Sequence, residues 1–180
     1  MPRLTLIGYR GTGKSTVARI VSSQLGCGWT DADEVFERQT GASIAEHFRD
    51  KGEASFRSLE SEILRRLLET ETGVLATGGG VVLFESNRCL LRDLGRPVVW
   101  LDAPVGVILQ RLMADPSTVS SRPSLSTAGV FDEVPAVLAA REPLYAATAD
   151  LRVDASGSPQ HVADQIIRSL PDLEQSGGKA

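Results

Sequence analysis

Apolar positions along the chain fall into two recurring patterns, short unbroken runs and stripes at helical spacing, and they alternate from the N-terminus to about residue 170. Leu4-Thr5-Leu6-Ile7 reads as a short buried strand, and 16–25 as a helix with Val17, Ile20, Val21 and Leu25 on one face. Trp29-Thr30-Asp31 is a candidate second strand leading into a helix over 34–39, which Thr40-Gly41 punctuates. The pattern is then helical in two pieces, 44–48 and a stripe of Phe56, Leu59, Ile63 and Leu67, with a break expected at Gly52. Gly73 to Ala76 and Pro97 to Leu101 are apolar runs of strand length, as expected for strands covered on both faces. Val105, Ile108, Leu109 and Leu112 repeat at helical spacing, and 115–129, rich in Ser, Thr, Pro and Gly, reads as a loop long enough to be an active-site lid. A helix over 134–145, a strand at 151–153 and a helix over 162–170 complete the pattern, with frayed residues expected in 173–180.

Alternating strands and helices pack most naturally as a doubly wound α/β sheet, with one domain over 1–172. Size agrees, since 180 residues with 42% hydrophobic content fill one sizeable core but hardly two. The net charge of −4 argues against holding nucleic acid or membrane on a basic surface. No apolar run approaches the roughly 20 residues that span a bilayer. Cys27 and Cys89 lack metal-ligand spacing and are expected to be free thiols, which fits a cytoplasmic protein, expected to be a monomer.

Chemistry enters with Gly8-Tyr9-Arg10-Gly11-Thr12-Gly13-Lys14-Ser15, a G-x-x-x-x-G-K-S phosphate loop lying between a predicted strand and a predicted helix. Its glycines let backbone N–H groups turn toward a polyphosphate, and the helix N-terminus adds partial positive charge. Lys14 suits the β- and γ-phosphates of ATP, and the Ser15 hydroxyl suits direct ligation of Mg2+. Gly11, Thr12, Gly13 and Thr16 complete the expected nucleotide contacts.

Downstream, Asp31-Ala32-Asp33 sits at the predicted C-terminal end of the second strand, where open α/β sheets bind ligands. One carboxylate can face the metal through water and the other a substrate hydroxyl; helix capping is the alternative use of the pair. Arg57 can pair with Glu53 one turn earlier or serve a site. Gly78-Gly79-Gly80 allows a close backbone approach that side chains would forbid. His47 and His161 show no ligand spacing, Trp100 reads as core, and Lys51, Arg65 and Arg66 read as solvated helix faces.

The phosphate loop, Asp31-Ala32-Asp33, Gly52-Glu53 with Phe56-Arg57, Gly78-Gly79-Gly80, Arg122-Pro123 and Arg141 with Leu144-Tyr145 resemble, in this order, the motifs of the shikimate kinase family. The resemblance covers roughly residues 4–170. It implies ATP-dependent phosphorylation of the 3-hydroxyl of shikimate, in the route to chorismate and the aromatic amino acids, on a three-layer α/β/α fold whose five-stranded parallel sheet has the order 2-3-1-4-5. It further implies that Arg57 and Arg141 grip the substrate carboxylate, that Asp33 and Gly79, flanked by Gly78 and Gly80, hold the ring hydroxyls, and that a substrate-binding region spans about 31–66. Asp33 would orient or deprotonate the attacking hydroxyl beside Lys14, and Asp31 would hold Mg2+ through water. Arg122, in the expected lid, would offset charge on the transferring phosphoryl group, and Arg111 with the Ser158-Pro159 turn would clasp adenine. A kinase for another hydroxylated acid such as gluconate, and a nucleotide-binding module without catalysis, are the competing readings.

Overall fold

The computed structural model describes residues 1–114 and 132–177, with side chains to residue 171. The expected loop over 115–129, Arg122 within it, and the last three residues lie outside the described residues. In chain order the elements are β1 (Leu4–Ile7), α1 (Lys14–Leu25), β2 (Trp29–Asp31), α2 (Ala32–Thr40), α3 (Ile44–Thr70), β3 (Val74–Ala76), a 3-10 turn (Val81–Leu83) and α4 (Glu85–Leu94). They continue with β4 (Val98–Asp102), α5 (Val105–Ala114), α6 (Val134–Thr148), β5 (Leu151–Asp154) and α7 (Pro159–Gly177).

All strands pair in parallel in the order β2-β3-β1-β4-β5. The expected doubly wound sheet is therefore present in the expected strand order. Parallel strands are joined by crossovers that cover both faces of a sheet, which explains why β1 and β3 are buried throughout. Alternation along each strand divides the core. Leu4 and Leu6 of β1 and Val99 and Leu101 of β4 join Val17, Val21, Val162 and Ile166 on one face. Ile7, Val98 and Trp100 join Phe56, Ile63, Leu64, Leu91 and Tyr145 on the other.

Local chemistry sets the element ends. Gly13 and Gly26 flank α1 in the left-handed region, at φ 90° and 63°. A reciprocal capping box between Ser43 and Glu46 starts α3. Gly52 interrupts α3 at φ 78° and ψ 169°, so the helix is two segments meeting at a kink, as its sequence implies. Helix α4 lies outside the expected elements; its inward face is Asn87, Leu90, Leu91 and Leu94, a helical spacing that opens on a polar residue. The last helix runs beyond Leu170 to Gly177, with Pro171 inside it at the cost of one helical hydrogen bond.

Candidate active site

The phosphate loop connects β1 to α1 at the C-terminal edge of the sheet. Its course depends on glycine at Gly8, where φ is 142° and a Cβ would stand 2.4 Å from the Leu101 carbonyl oxygen. Lys14 opens α1 and folds back over the loop, its Nζ donating to the carbonyls of Gly8 and Tyr9 at 2.9 Å each. Thr12 Oγ1 donates to the Tyr9 carbonyl at 2.8 Å. Ser15, next after Lys14, donates its hydroxyl hydrogen to Asp31 Oδ2.

Asp31 ends β2 and has two tasks in the same carboxylate. Oδ2 accepts from Ser15, while Oδ1 accepts from the Asp33 N–H at 2.9 Å and caps α2. Asp31 therefore caps α2 and also meets Ser15. Asp33 is not the cap; it lies in the first turn of α2 and lines a cleft of about 330 Å3 with Lys14, Ser15, Asp31, Thr77, Arg10 and Arg111. The serine hydroxyl and two carboxylates are hard oxygen donors, the ligand chemistry that Mg2+ takes. The left-handed backbone at Gly11 and Gly13 fits the loop to a phosphate chain.

Gly78-Gly79-Gly80 follows β3 and is hemmed in on every side. A Cβ on Gly78 would lie 2.6 Å from Glu60 Oε1 and 3.0 Å from Asp33 Oδ1; one on Gly79 would lie 3.0 Å from the Arg10 backbone nitrogen. One on Gly80 would fall 2.2 Å from Arg57 Nη1. The glycines thus bring Asp33, the phosphate loop and Arg57 to one short stretch of backbone. Arg141 Nη1 donates to the Gly79 carbonyl at 3.0 Å, and the Tyr145 hydroxyl donates to the same oxygen. Tyr145 is fully buried against Trp100, and burial pushes its phenol above the usual range, so it remains a donor.

Arg57 is buried on α3. Its Nε meets Glu53 at 3.3 Å, the pairing its sequence context suggests, and its Nη1 meets Glu60 Oε2 at 2.7 Å. Burial pushes the Glu60 carboxyl above its ordinary value, against the downward pull of Arg57 and then Arg141. Glu60 escapes motif reading, yet its i+3 spacing from Arg57 is the signal that could have found it.

Arg111 Nη2 donates to the carbonyls of Ser156 and Gly157 at 3.4 and 3.2 Å. With Thr12, Gly13, Thr16 and Pro159 it lines a smaller cavity of about 190 Å3 behind the phosphate loop. The residues singled out for adenine are therefore brought together. Arg57, Gly79, Gly80 and Arg141 do not line the 330 Å3 cleft; they form a polar cluster joined to it through Gly78, Asp33 and Arg10. A larger open groove of about 610 Å3 beside Asp102, Glu142, Arg152 and Asp154 contains none of the expected site residues. His47 is buried, edge-on to Phe36, and hydrogen-bonds Ser55 across the α3 kink. Among the described residues no group of His, Cys, Asp and Glu is arranged to hold a metal by itself, and no helix is long and apolar enough to cross a membrane.

Comparison with known proteins points to one family. The sequence model for shikimate kinase matches residues 10–171. A shikimate kinase of Rhodopirellula baltica is 41% identical over 169 residues, covering 93% of this chain and 90% of the relative. One of Parasynechococcus marenigrum is 45% identical over 171 residues, covering 94% and 86%. A solved shikimate kinase of Acinetobacter baumannii in complex with shikimate superposes with a TM-score of 0.86 at 34% identity, covering 94% of this chain and 92% of that one.

Proposed function

The chain belongs to the shikimate kinase family, and on that premise we propose how its own residues carry the ATP-dependent phosphorylation of shikimate to shikimate 3-phosphate. The observation that supports this reading best is the contact between the two loops: Gly79 packs against the phosphate loop at Arg10 while its carbonyl is held by Arg141. Donor and acceptor are thereby kept side by side.

Gly11, Thr12, Gly13 and Thr16 hold the phosphates of ATP with backbone N–H groups and hydroxyls, and Lys14 exchanges its carbonyl partners for the phosphate oxygens. Ser15 would ligate Mg2+ directly, and Asp31 would hold it through water. When bound, the ion would supply positive charge that offsets the charge developing on the phosphates. Arg111 and Pro159 flank adenine, the guanidinium offering a planar face for stacking.

Arg57 and Arg141 bind the shikimate carboxylate, a task suited to planar guanidinium groups. Glu60 holds Arg57 in place, and Tyr145 holds the Gly79 carbonyl so that the glycine loop presents its N–H groups to the ring hydroxyls. Asp33 orients the 3-hydroxyl and accepts its proton as the new O–P bond forms, while the bond from the γ-phosphorus to the β–γ bridging oxygen breaks and ADP leaves. Phosphoryl transfer through a loose transition state needs such positioning more than a strong base. Arg122 takes the charge-offsetting role on the resemblance alone. The enzyme works as a cytoplasmic monomer with a small-molecule substrate, a reading supported by its acidic charge and free thiols.

Coupled ADP release tests the substrate. Turnover is expected with shikimate and only background with gluconate; the reverse result would replace shikimate with another polyol acid.

A further inference from the structure

Helix α4 follows the glycine stretch by way of the 3-10 turn, and two adjacent residues in its first turn are poorly suited to where they stand. Asn87 heads the inward face that continues with Leu90, Leu91 and Leu94, and is only 1% exposed beside these apolar side chains. Its Oδ1 has no hydrogen-bond partner among the described residues, an unfavourable state for a buried acceptor. Arg88 puts a cation near the positive end of the helix dipole, where an anion is favoured. Local conflicts of this kind gather at functional sites.

What the two side chains serve is the turn. Asn87 Nδ2 donates to the Val81 carbonyl at 3.1 Å, and Arg88 Nη1 donates to those of Val82 and Leu83 at 2.7 and 3.1 Å. The turn's own N–H groups reach back to the glycines, Val81 to the Gly78 carbonyl at 3.2 Å and Leu83 to that of Gly80 at 3.0 Å. With Arg141 and Tyr145 on the Gly79 carbonyl, every carbonyl from Gly78 to Leu83 has a donor within the protein. A trans peptide points its C=O and the next N–H in opposite directions, so holding the Gly78 and Gly79 carbonyls aims the N–H groups of Gly79 and Gly80. Helix α6 secures one end of this stretch and α4 the other.

We propose that Asn87 and Arg88 are positioning residues for the phosphoryl acceptor: by fixing the carbonyls of 81–83 they set the N–H groups of the glycine loop against the ring hydroxyls of shikimate. The proposal rests on the reading of Gly79 as a contact to those hydroxyls. Both side chains act through the backbone of the turn. A single nitrogen of Arg88 serves both of its carbonyls, so a lysine ammonium, which carries three donors, can take its place.

The test compares kcat/KM by coupled ADP release for shikimate and for analogues lacking the 4- or the 5-hydroxyl, in wild type, Asn87→Leu, Arg88→Met and Arg88→Lys. Asn87→Leu completes an apolar face and Arg88→Met keeps an unbranched stem at a half-buried position, so the two substitutions approach the turn by independent routes. In each, kcat/KM for shikimate is expected to fall by about tenfold or more through misplacement of the acceptor, while KM for ATP stays within about twofold of wild type. Against at least one deoxy analogue the same substitutions should cost less than about threefold, because the contact they misplace is missing from it. Arg88→Lys should recover most of the activity lost in Arg88→Met. Wild-type kinetics in both Asn87→Leu and Arg88→Met, the same fold loss on shikimate and on both analogues, or an Arg88→Lys no better than Arg88→Met would overturn the proposal. Wild type that turns over shikimate and both analogues equally well would overturn the reading of Gly79 as well.

Discussion

The phosphate-binding half of the site and the proposed acceptor half are built from different materials. The first is eight consecutive residues, Gly8 to Ser15, whose lysine donates to two carbonyls of the loop itself. The second is gathered from α2, α3, the Gly78–Gly80 stretch and α6, and relies on charged side chains that must be held by other buried groups. A contiguous loop carries its geometry in its own φ and ψ angles, whereas a distributed site is only as well placed as the packing between its elements. Damage to the first half should therefore remain chemical, and damage to the second should spread into stability.

The sharpest way to break that contrast is Lys14→Ala. It should lower turnover by roughly 10^2–10^3-fold, the typical loss of a charge-stabilising group, leave shikimate affinity nearly unchanged, and cost no more than about 1–3 kcal/mol of stability for the two loop carbonyls that lose their donor. Coupled ADP release and a thermal melt measure the two. A large loss of stability would mean that the loop depends on the lysine for its shape.

Next come Arg57→Ala and Arg141→Ala, each expected to weaken shikimate binding by roughly 10- to 100-fold, equivalent to about 1.5–3 kcal/mol for a charge-assisted contact. Only the first strands a buried carboxylate, Glu60, so Arg57→Ala should also cost roughly 3–5 kcal/mol of stability, and Arg141→Ala clearly less. Equal melts for the two variants would show that Glu60 does not depend on Arg57.

A smaller effect follows from Glu60 itself. Its folded-state pKa is raised above 4.5 by burial, so between 4.5 and that raised value the folded chain binds more protons than the unfolded chain. This residue's contribution must then become less favourable as pH rises through that window. Denaturant melts across pH, compared between wild type and Glu60→Gln, isolate the term: the substitution should remove a decline. A decline of the same slope in the variant would assign it to other groups.

The same contrast explains how much could be read from sequence. Leu4 to Ile7, the phosphate loop and the helix after it were fully legible, because spacing alone encodes a strand, a glycine turn and an amphipathic helix. Arg57, Gly79 and Arg141 were legible only as members of an ordered set, since none of them has a local pattern that demands a ligand. Arg10 and Glu133 pair across 123 residues, which no local rule finds, whereas Glu60 lies one helical turn from Arg57 and needs only the i+3 spacing to be noticed. Helix α4 is hard to read because its inward face opens on polar Asn87 before Leu90, Leu91 and Leu94, so the helical spacing does not show as an apolar stripe. His47 reads as an ordinary helical histidine, and only packing reveals that it is buried against Phe36.

The central claim is that the two halves deliver one phosphoryl group to one hydroxyl, and the position of phosphate on the product tests it most directly. Phosphorus–proton correlation NMR of the product made from ATP and shikimate should link the new phosphorus to the proton on C3. Linkage to another ring carbon, or release of inorganic phosphate with shikimate unchanged, would contradict the account.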